Sequence, residues 1–234
     1  MTRLLVHVEG QTEEQFVNFI LRDHLTVKGY TSVSARGVGD GRSRAHRQGI
    51  KSWSSVRSGI VRHLREDSGS IITTMVDYYA LPSDWPQRND AGQQAGMARA
   101  ECIENAMSAD VTNQMGPNFN PQRFVPFVVL HEFEGLLFSD CVAFAKGIER
   151  PTLQGDFQRI RDQFETPEDI NDSPQAAPSK RILNLIPGYQ KPHFGVLAIL
   201  SIGLESIRRE CPHFNQWIER LESRVQALST APKP

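Results

Sequence analysis

Three apolar segments of this chain each run into acidic residues, and this pattern constrains the fold more than any other feature. Each segment has the length and apolar content of a buried strand. In chain order they are residues 4–8, followed by Glu9; residues 70–79, which contain Asp77; and residues 124–130, followed by Glu132 and Glu134. A carboxylate at the end of a buried strand is costly unless it has a partner. The pattern therefore indicates a shared site for the acids.

Helical patterns separate these strands and predict an α/β fold. Residues 12–27, 56–64 and 97–111 have apolar side chains at helical spacing, and Thr12 with Gln15 has the form of a capping box that begins the first helix. A weaker alternation at residues 31–35 indicates a further strand. Alternating strands and helices predict a mostly parallel sheet flanked by helices. In such sheets ligands bind beyond the carboxyl ends of the strands, where the acids lie.

The remaining sequence predicts a helical extension. We expect an α/β domain over residues 1–145, a helical C-terminal extension packed on it over residues 146–228, and a disordered tail over residues 229–234. The extension contains helical patterns at residues 157–164, 194–208 and 214–228. The polar, proline-rich residues 166–180 predict a loop or a mobile lid.

Composition limits the ways in which the protein can bind nucleic acid and indicates its cellular compartment. The net charge is -1, so contact with nucleic acid requires a local basic patch. The three cysteines are widely spaced and suggest neither a zinc site nor a disulfide framework, which favours a cytoplasmic protein. There is no apolar segment long enough to suggest a membrane span.

The acids suit a divalent cation, because Mg²⁺ prefers oxygen ligands. We expect Glu9, Asp77 and Glu134 to bind Mg²⁺ or Mn²⁺, with Glu13 and Glu132 completing the site. Two such ions can hold the attacking and leaving oxygens of a phosphodiester. Glu13 and its neighbour Glu14 have an alternative role, which is to complement the dipole of the first helix.

Basic residues offer candidate contacts to phosphate. Arg36, Arg42, Arg44 and Arg47 lie in a glycine-rich segment, residues 36–51, that is either a phosphate-binding loop or a solvated surface loop. Lys191 is either a surface lysine or a group that stabilises charge on a reacting phosphate. His131, directly before Glu132, is more simply a packed side chain than a metal ligand or general base.

Several motifs resemble known families. "LLVHVEGQTEEQF" resembles the first motif of Toprim domains, in the form found in overcoming-lysogenization-defect (OLD) nucleases and the RloB family. "TTMVDYY" resembles the Toprim strand that carries Asp-x-Asp, and "HEFEGLLFSD" resembles the third acidic segment of RloB-like proteins. The Toprim resemblance covers about residues 3–140. The whole chain, including "APSKRI" and "CPHFNQWIERLE", resembles the DUF4276 family.

This resemblance implies a Toprim-like, Mg²⁺-dependent nuclease of anti-phage defence, acting on nucleic acid beside a separate ATPase partner. The sequence has no Walker A motif of its own. Tyr79 replaces the second acid of Asp-x-Asp, so Asp84, Asp90 or the pair Glu132 and Glu134 would have to compensate. The alternative is a non-catalytic, Toprim-like binding subunit that docks on an ATPase or on nucleic acid. A third possibility is nucleotidyl transfer, as in primases.

Overall fold

The centre of the fold is a parallel sheet. In the computed structural model, which describes residues 2–38, 50–171 and 176–230, the strands follow the order β2–β1–β3–β4, and β5 also pairs with β3. The strands are β1 Arg3–Val8, β2 Ser32–Gly37, β3 Ser70–Asp77, β4 Phe124–Val125 and β5 Val128–Val129. The predicted α/β class with a mostly parallel sheet is confirmed.

The third predicted strand is interrupted, because Pro126 has no N–H to donate to the ladder. The prediction of one strand over residues 124–130 is therefore wrong, since β4 and β5 are separate two-residue pairings. Thr74 of β3 fills the gap, because its hydroxyl accepts from Phe127 N and donates to Phe127 O, both at 2.9 Å. The chain beyond β5 thus remains beside the end of β3.

The helices lie before, between and after the strands. They are α1 Gln11–Phe16, α2 Arg22–Val27, α3 Trp53–Glu66, α4 Gly96–Met115, α5 Cys141–Gly147, α6 Gln154–Arg161, α7 Pro178–Leu185, α8 Lys191–Glu210 and α9 Pro212–Thr230. A π-helical segment, Val17–Leu21, joins α1 to α2. In addition, 3₁₀ turns include Tyr78–Ala80, Phe133–Ser139 and Pro167–Asp169. None of the helices in the described ranges has the length and apolar character needed to cross a membrane.

Four local predictions differ from the structure. The N-cap of the first helix is Gly10 and not Thr12. Arg36 lies in β2 and not in a loop. The predicted loop over residues 166–180 contains a 3₁₀ turn and the first residues of α7, and residues 172–175 are outside the described ranges. The predicted tail also differs in its start, because α9 continues to Thr230, after which the chain is not described.

Two hydrophobic clusters lie on opposite faces of the sheet. Side chains alternate along β1, so Leu4, Val6 and Val8 join one cluster, whereas Leu5 packs against the other. The first cluster also contains residues of α1, α5, α8 and α9, and the second contains residues of α3 and α4. Trp217 of α9 stacks on Phe127 at 4.4 Å between ring centroids and donates to Thr73 Oγ1 at 2.9 Å. The C-terminal helices therefore share a core with the sheet.

Candidate active site

Main-chain hydrogen bonds join the acids at the carboxyl ends of β1 and β3. Glu9 follows β1, and its Oε2 accepts from the N–H of Asp77 at 3.1 Å. Asp77 Oδ1 in turn accepts from the N–H of Phe133 at 2.9 Å. These two bonds bring the ends of both strands and the start of the Phe133–Ser139 turn to one place. The segment that contains Glu132 and Glu134 is thereby held beside Asp77.

We call the site formed by these acids the acidic cleft; its residues are Glu9, Glu13, Asp77, Glu132 and Glu134. The N-termini of α7 and α8 lie on its other side. Glu132 Oε2 accepts from the N–H of Ser179, in the first turn of α7, at 2.9 Å. Lys191, the first residue of α8, places its Nζ 3.0 Å from Glu134 Oε2 and 3.8 Å from Glu132 Oε1. Glu134 is buried, whereas the Lys191 side chain is 45% exposed. A lysine that solvent can reach therefore neutralises part of this charge.

Glu13 reaches the cleft from the first turn of α1. Its Oε2 accepts from the N–H of Gly10 at 2.9 Å, which supplies a partner to one of the unpaired donors at the start of the helix. A Cβ atom on residue 10 would lie only 3.1 Å from this oxygen, so the close approach favours glycine there. Glu14, the next residue, is exposed. Of these two acids, only Glu13 therefore lies at the cleft.

Burial and mutual repulsion oppose ionisation of these carboxylates. Burial is the largest cause of the raised pKa of Glu9, Asp77 and Glu134, and neighbouring acids raise each pKa further. Burial, with Glu9 and Glu134, also raises the pKa of Glu13 to about 7. Burial lowers the pKa of Lys191, but its acidic neighbours outweigh burial and raise that pKa above its ordinary value. Among the residues that the structure describes, the cleft therefore holds more carboxylates than Lys191 can neutralise.

The donor set suits a hard divalent cation, although it forms no closed cage. In the described part of the chain, no three His, Cys, Asp or Glu side chains are grouped so that they could hold an ion together. Mg²⁺ commonly binds one or two carboxylates and keeps several waters. Glu9 and Asp77 each direct one oxygen to a main-chain N–H, which fixes the orientation of the carboxylate. A pair of oriented carboxylates with water ligands is compatible with this ion.

The other predicted residues that the structure describes lie outside the cleft. Arg36 is exposed on β2, in register with His7 of β1. Arg42, Arg44 and Arg47 fall outside the described residues. Neither Asp84 nor Asp90 adds a carboxylate to the cleft, because Asp84 Oδ2 accepts from the N–H of Trp53 at the start of α3 and Asp90 is exposed in a 3₁₀ turn.

Tyr79 and His131 lie together at the edge of the cleft. Tyr79 supplies no carboxylate, and its ring stacks on His131 with centroids 5.4 Å apart. His131 is buried and has a φ of 66°, which is uncommon for a residue other than glycine. Its carbonyl accepts from the N–H of Tyr79 at 3.3 Å. The packed His131 thus joins the end of β3 to the acidic segment that follows β5.

Sequence reasoning missed two groups at this site. Ser179 contributes only a main-chain N–H, which no side-chain pattern can reveal. Tyr189 is buried beside the cleft, and its hydroxyl has no hydrogen-bond partner among the described residues. Burial and the charge of Glu134 raise the pKa of Tyr189. Its position in "PGYQKP", between two prolines, was the available signal, because such a segment brings a tyrosine to a turn next to Lys191.

Comparison with known proteins identifies the family. Residues 8–222 match the family described as "Domain of unknown function (DUF4276)". The chain belongs to this family. One similar solved structure is that of the C-terminal region of the OLD protein of Xanthomonas campestris pv. campestris, with a TM-score of 0.42, 17% sequence identity and 98% of each chain covered. No curated protein matches the chain.

Proposed function

We propose that this DUF4276 protein is a Mg²⁺- or Mn²⁺-dependent phosphodiesterase that cleaves nucleic acid. The observation that carries the proposal is the acidic cleft, in which carboxylates from three chain segments converge and Lys191 pairs with Glu134. A divalent cation relieves the repulsion between such carboxylates, and its usual ligands are oxygens. Glu9 and Asp77 are the proposed direct ligands, with water completing the shell. Glu134, the third predicted ligand, pairs with Lys191 in this structure.

In the proposed reaction, water adds to phosphorus and one ester P–O bond breaks, which gives a phosphate monoester and an alcohol. A bound cation would polarise the phosphate oxygens and favour loss of a proton from water. Glu13 suits the acceptance of that proton, because its pKa of about 7 lies near the pH at which the enzyme would work. Lys191 suits the stabilisation of charge on the phosphate, because its Nζ is positively charged and its side chain is partly exposed.

The proposed biological role rests on sequence resemblance. The Glu-Gly motif at Glu9 and the segment around Glu134 resemble those of OLD and RloB nucleases, which supports a role in anti-phage defence. The same resemblance supports an ATPase as the proposed partner.

Asp77→Asn tests the hydrolytic proposal. Asparagine keeps an oxygen that can accept from Phe133 N but removes the charge that attracts the cation. We expect the wild type to cleave single- or double-stranded DNA or RNA with Mg²⁺ or Mn²⁺ and not with a chelator, and the variant to lose about 100-fold or more in rate, as for loss of a key electrostatic group. Thermal unfolding should show that the variant is folded.

The matched control is Asp23→Asn, which removes one exposed carboxylate from α2. This variant should cleave at the wild-type rate. Cleavage by Asp77→Asn at the wild-type rate, with the metal still required, would rule out the proposed role of Asp77. Absence of cleavage on every substrate, with no metal bound in calorimetry, would rule out the hydrolytic proposal itself.

Two observations favour a second function, that of a non-catalytic binding subunit. Lys191 already supplies a cation to Glu134 and Glu132, and Tyr79 stands where the Toprim resemblance leads one to expect an acid. Under this alternative, the protein would bind nucleic acid or an ATPase without binding Mn²⁺. Calorimetric titration with Mn²⁺ separates the two functions, because only the hydrolytic one requires binding at the cleft.

A further inference from the structure

Two arginines gather around Tyr78, the residue directly after Asp77. Arg88 lies over the ring, with its Cζ 3.9 Å from the centroid, and its Nη1 donates to the Tyr78 hydroxyl at 2.7 Å. Arg99, in the first turn of α4, has its Cζ 5.1 Å from the same centroid. Both side chains are partly exposed. We call Tyr78, Arg88 and Arg99 the arginine cluster.

No carboxylate neutralises the arginine cluster within the described ranges. The ion pairs found there involve other arginines, such as Arg57 with Asp110 and Arg62 with Glu66. Moreover, Arg88 Nε is buried and has no hydrogen-bond partner among the described residues. Buried donors of this kind are uncommon in native proteins and usually find a partner in water or a ligand.

The chemistry of the arginine cluster selects an anion. The aromatic ring attracts each guanidinium, but the two positive charges repel each other, and an anion between them would remove that repulsion. A guanidinium presents its N–H groups as a planar fork that matches the oxygens of a phosphate. A ligand with phosphate oxygens therefore satisfies both the charge and the donor geometry.

The position of the cluster relates this anion to the acidic cleft. Tyr78 and Asp77 are consecutive at the carboxyl end of β3. Tyr79 lies on the same 3₁₀ turn and stacks on His131, which directly precedes Glu132. The two sites are therefore neighbours on one edge of the sheet. A polynucleotide presents a row of phosphates, so one phosphate can lie at the cleft while a neighbouring one lies at the cluster.

We propose that Arg88 and Arg99 form a subsite for a backbone phosphate of a polynucleotide, next to the phosphate that occupies the acidic cleft. The identification of the ligand as a polynucleotide rests on the proposed function, whereas the assignment of an anion rests on the cluster alone. Because phosphates carry no base identity, the subsite contributes equally to the binding of every sequence.

The test measures binding in the absence of metal, so it does not depend on cleavage. Fluorescence anisotropy of labelled oligonucleotides of different sequence is recorded in chelator over a salt series, for the wild type, Arg88→Gln and Arg99→Gln. Each lost phosphate contact should lower the slope of log affinity against log salt by about one. The affinity of all the oligonucleotides should fall by the same factor.

Arg62→Gln is the control, because it removes the same charge from an exposed arginine of α3 that pairs with Glu66. This variant should keep the wild-type salt slope. If Arg88→Gln fails to fold, Arg99→Gln still decides the question, because within the described ranges Arg99 makes a single hydrogen bond, from its Nε to the carbonyl of Gln94.

The possible results separate this inference from the proposed function. Lower slopes in a protein that never cleaves would support the subsite and count against hydrolysis. An unchanged slope for Arg99→Gln in a protein that does cleave would overturn the subsite. A loss confined to one sequence would indicate base readout, and competition by inorganic phosphate or a mononucleotide as strong as by an oligonucleotide would overturn the polynucleotide assignment.

Discussion

Replacing Glu13 with glutamine should stabilise the protein at neutral and alkaline pH. Burial, with the charges of Glu9 and Glu134, raises the pKa of Glu13 from 4.5 to about 7. The folded chain therefore holds this proton more tightly than the unfolded chain does. As a result, the contribution of Glu13 to stability is most favourable below about pH 4.5 and is lost as the pH rises towards about 7. The full loss corresponds to roughly 3 kcal/mol, at about 1.4 kcal/mol for each pKa unit.

Glutamine removes the charge but keeps an oxygen that can accept from the N–H of Gly10. The charged form of this hydrogen bond is stronger, so part of the gain is offset. We therefore expect Glu13→Gln to have a free energy of unfolding roughly 1–3 kcal/mol above that of the wild type at about pH 8. The two proteins should converge at acid pH, where the wild-type carboxyl is protonated.

Urea unfolding at a series of pH values, in the presence of a chelator, measures this difference. The chelator is needed because a bound cation would favour the ionised carboxylate and reduce the effect. Glu14→Gln is the control, since Glu14 is exposed on the same turn of α1, and its curve should follow that of the wild type. If the stabilities of Glu13→Gln and wild type differ by a constant at all pH values, the raised pKa is not the cause and the reasoning fails.

Three further substitutions test other contacts of the site. Lys191→Met should lower the free energy of unfolding at neutral pH by roughly 1–2 kcal/mol, which is less than for a fully buried pair because the lysine is half exposed. It should also tighten Mn²⁺ binding in calorimetry, because it removes a competing cation from Glu134. Tyr189→Phe removes a buried hydroxyl without a partner among the described residues, so the melting temperature should rise; a fall would indicate a bound water. Thr74→Val should cost roughly 1–3 kcal/mol in urea unfolding, because both main-chain groups of Phe127 lose their partner.

The sequence predicted the sheet and the convergence of its acids because both follow from topology. Once apolar strands alternate with helices, the strands become parallel and their carboxyl ends share an edge. The placement of Glu9 and Asp77 therefore needed no knowledge of side-chain contacts. The roles of these residues in metal binding remain predictions.

Local competition between bonds explains the details that the sequence did not predict. Thr12 and Gln15 have the form of a capping box, but the helix begins two residues earlier because Glu13 bonds to the N–H of Gly10. Similarly, Pro126 divides a continuous apolar segment into two short pairings with β3, and the hydroxyl of Thr74 bonds to Phe127 in the gap between them. The start of the helix and the geometry around Pro126 both depend on contacts that form only after the fold has brought these groups together.

The acidic cleft and the arginine cluster begin at consecutive residues, Asp77 and Tyr78, and this arrangement has a thermodynamic consequence. Among the described residues, the carboxylates of the cleft outnumber the positive charge that Lys191 brings to them, whereas no carboxylate pairs with the arginines of the cluster. A polynucleotide alone would satisfy the cluster but would bring its next phosphate against unneutralised carboxylates. Under the two proposals, a cation in the cleft therefore favours binding of the polynucleotide. Because coupling between two binding equilibria is reciprocal, the polynucleotide must strengthen cation binding by the same factor.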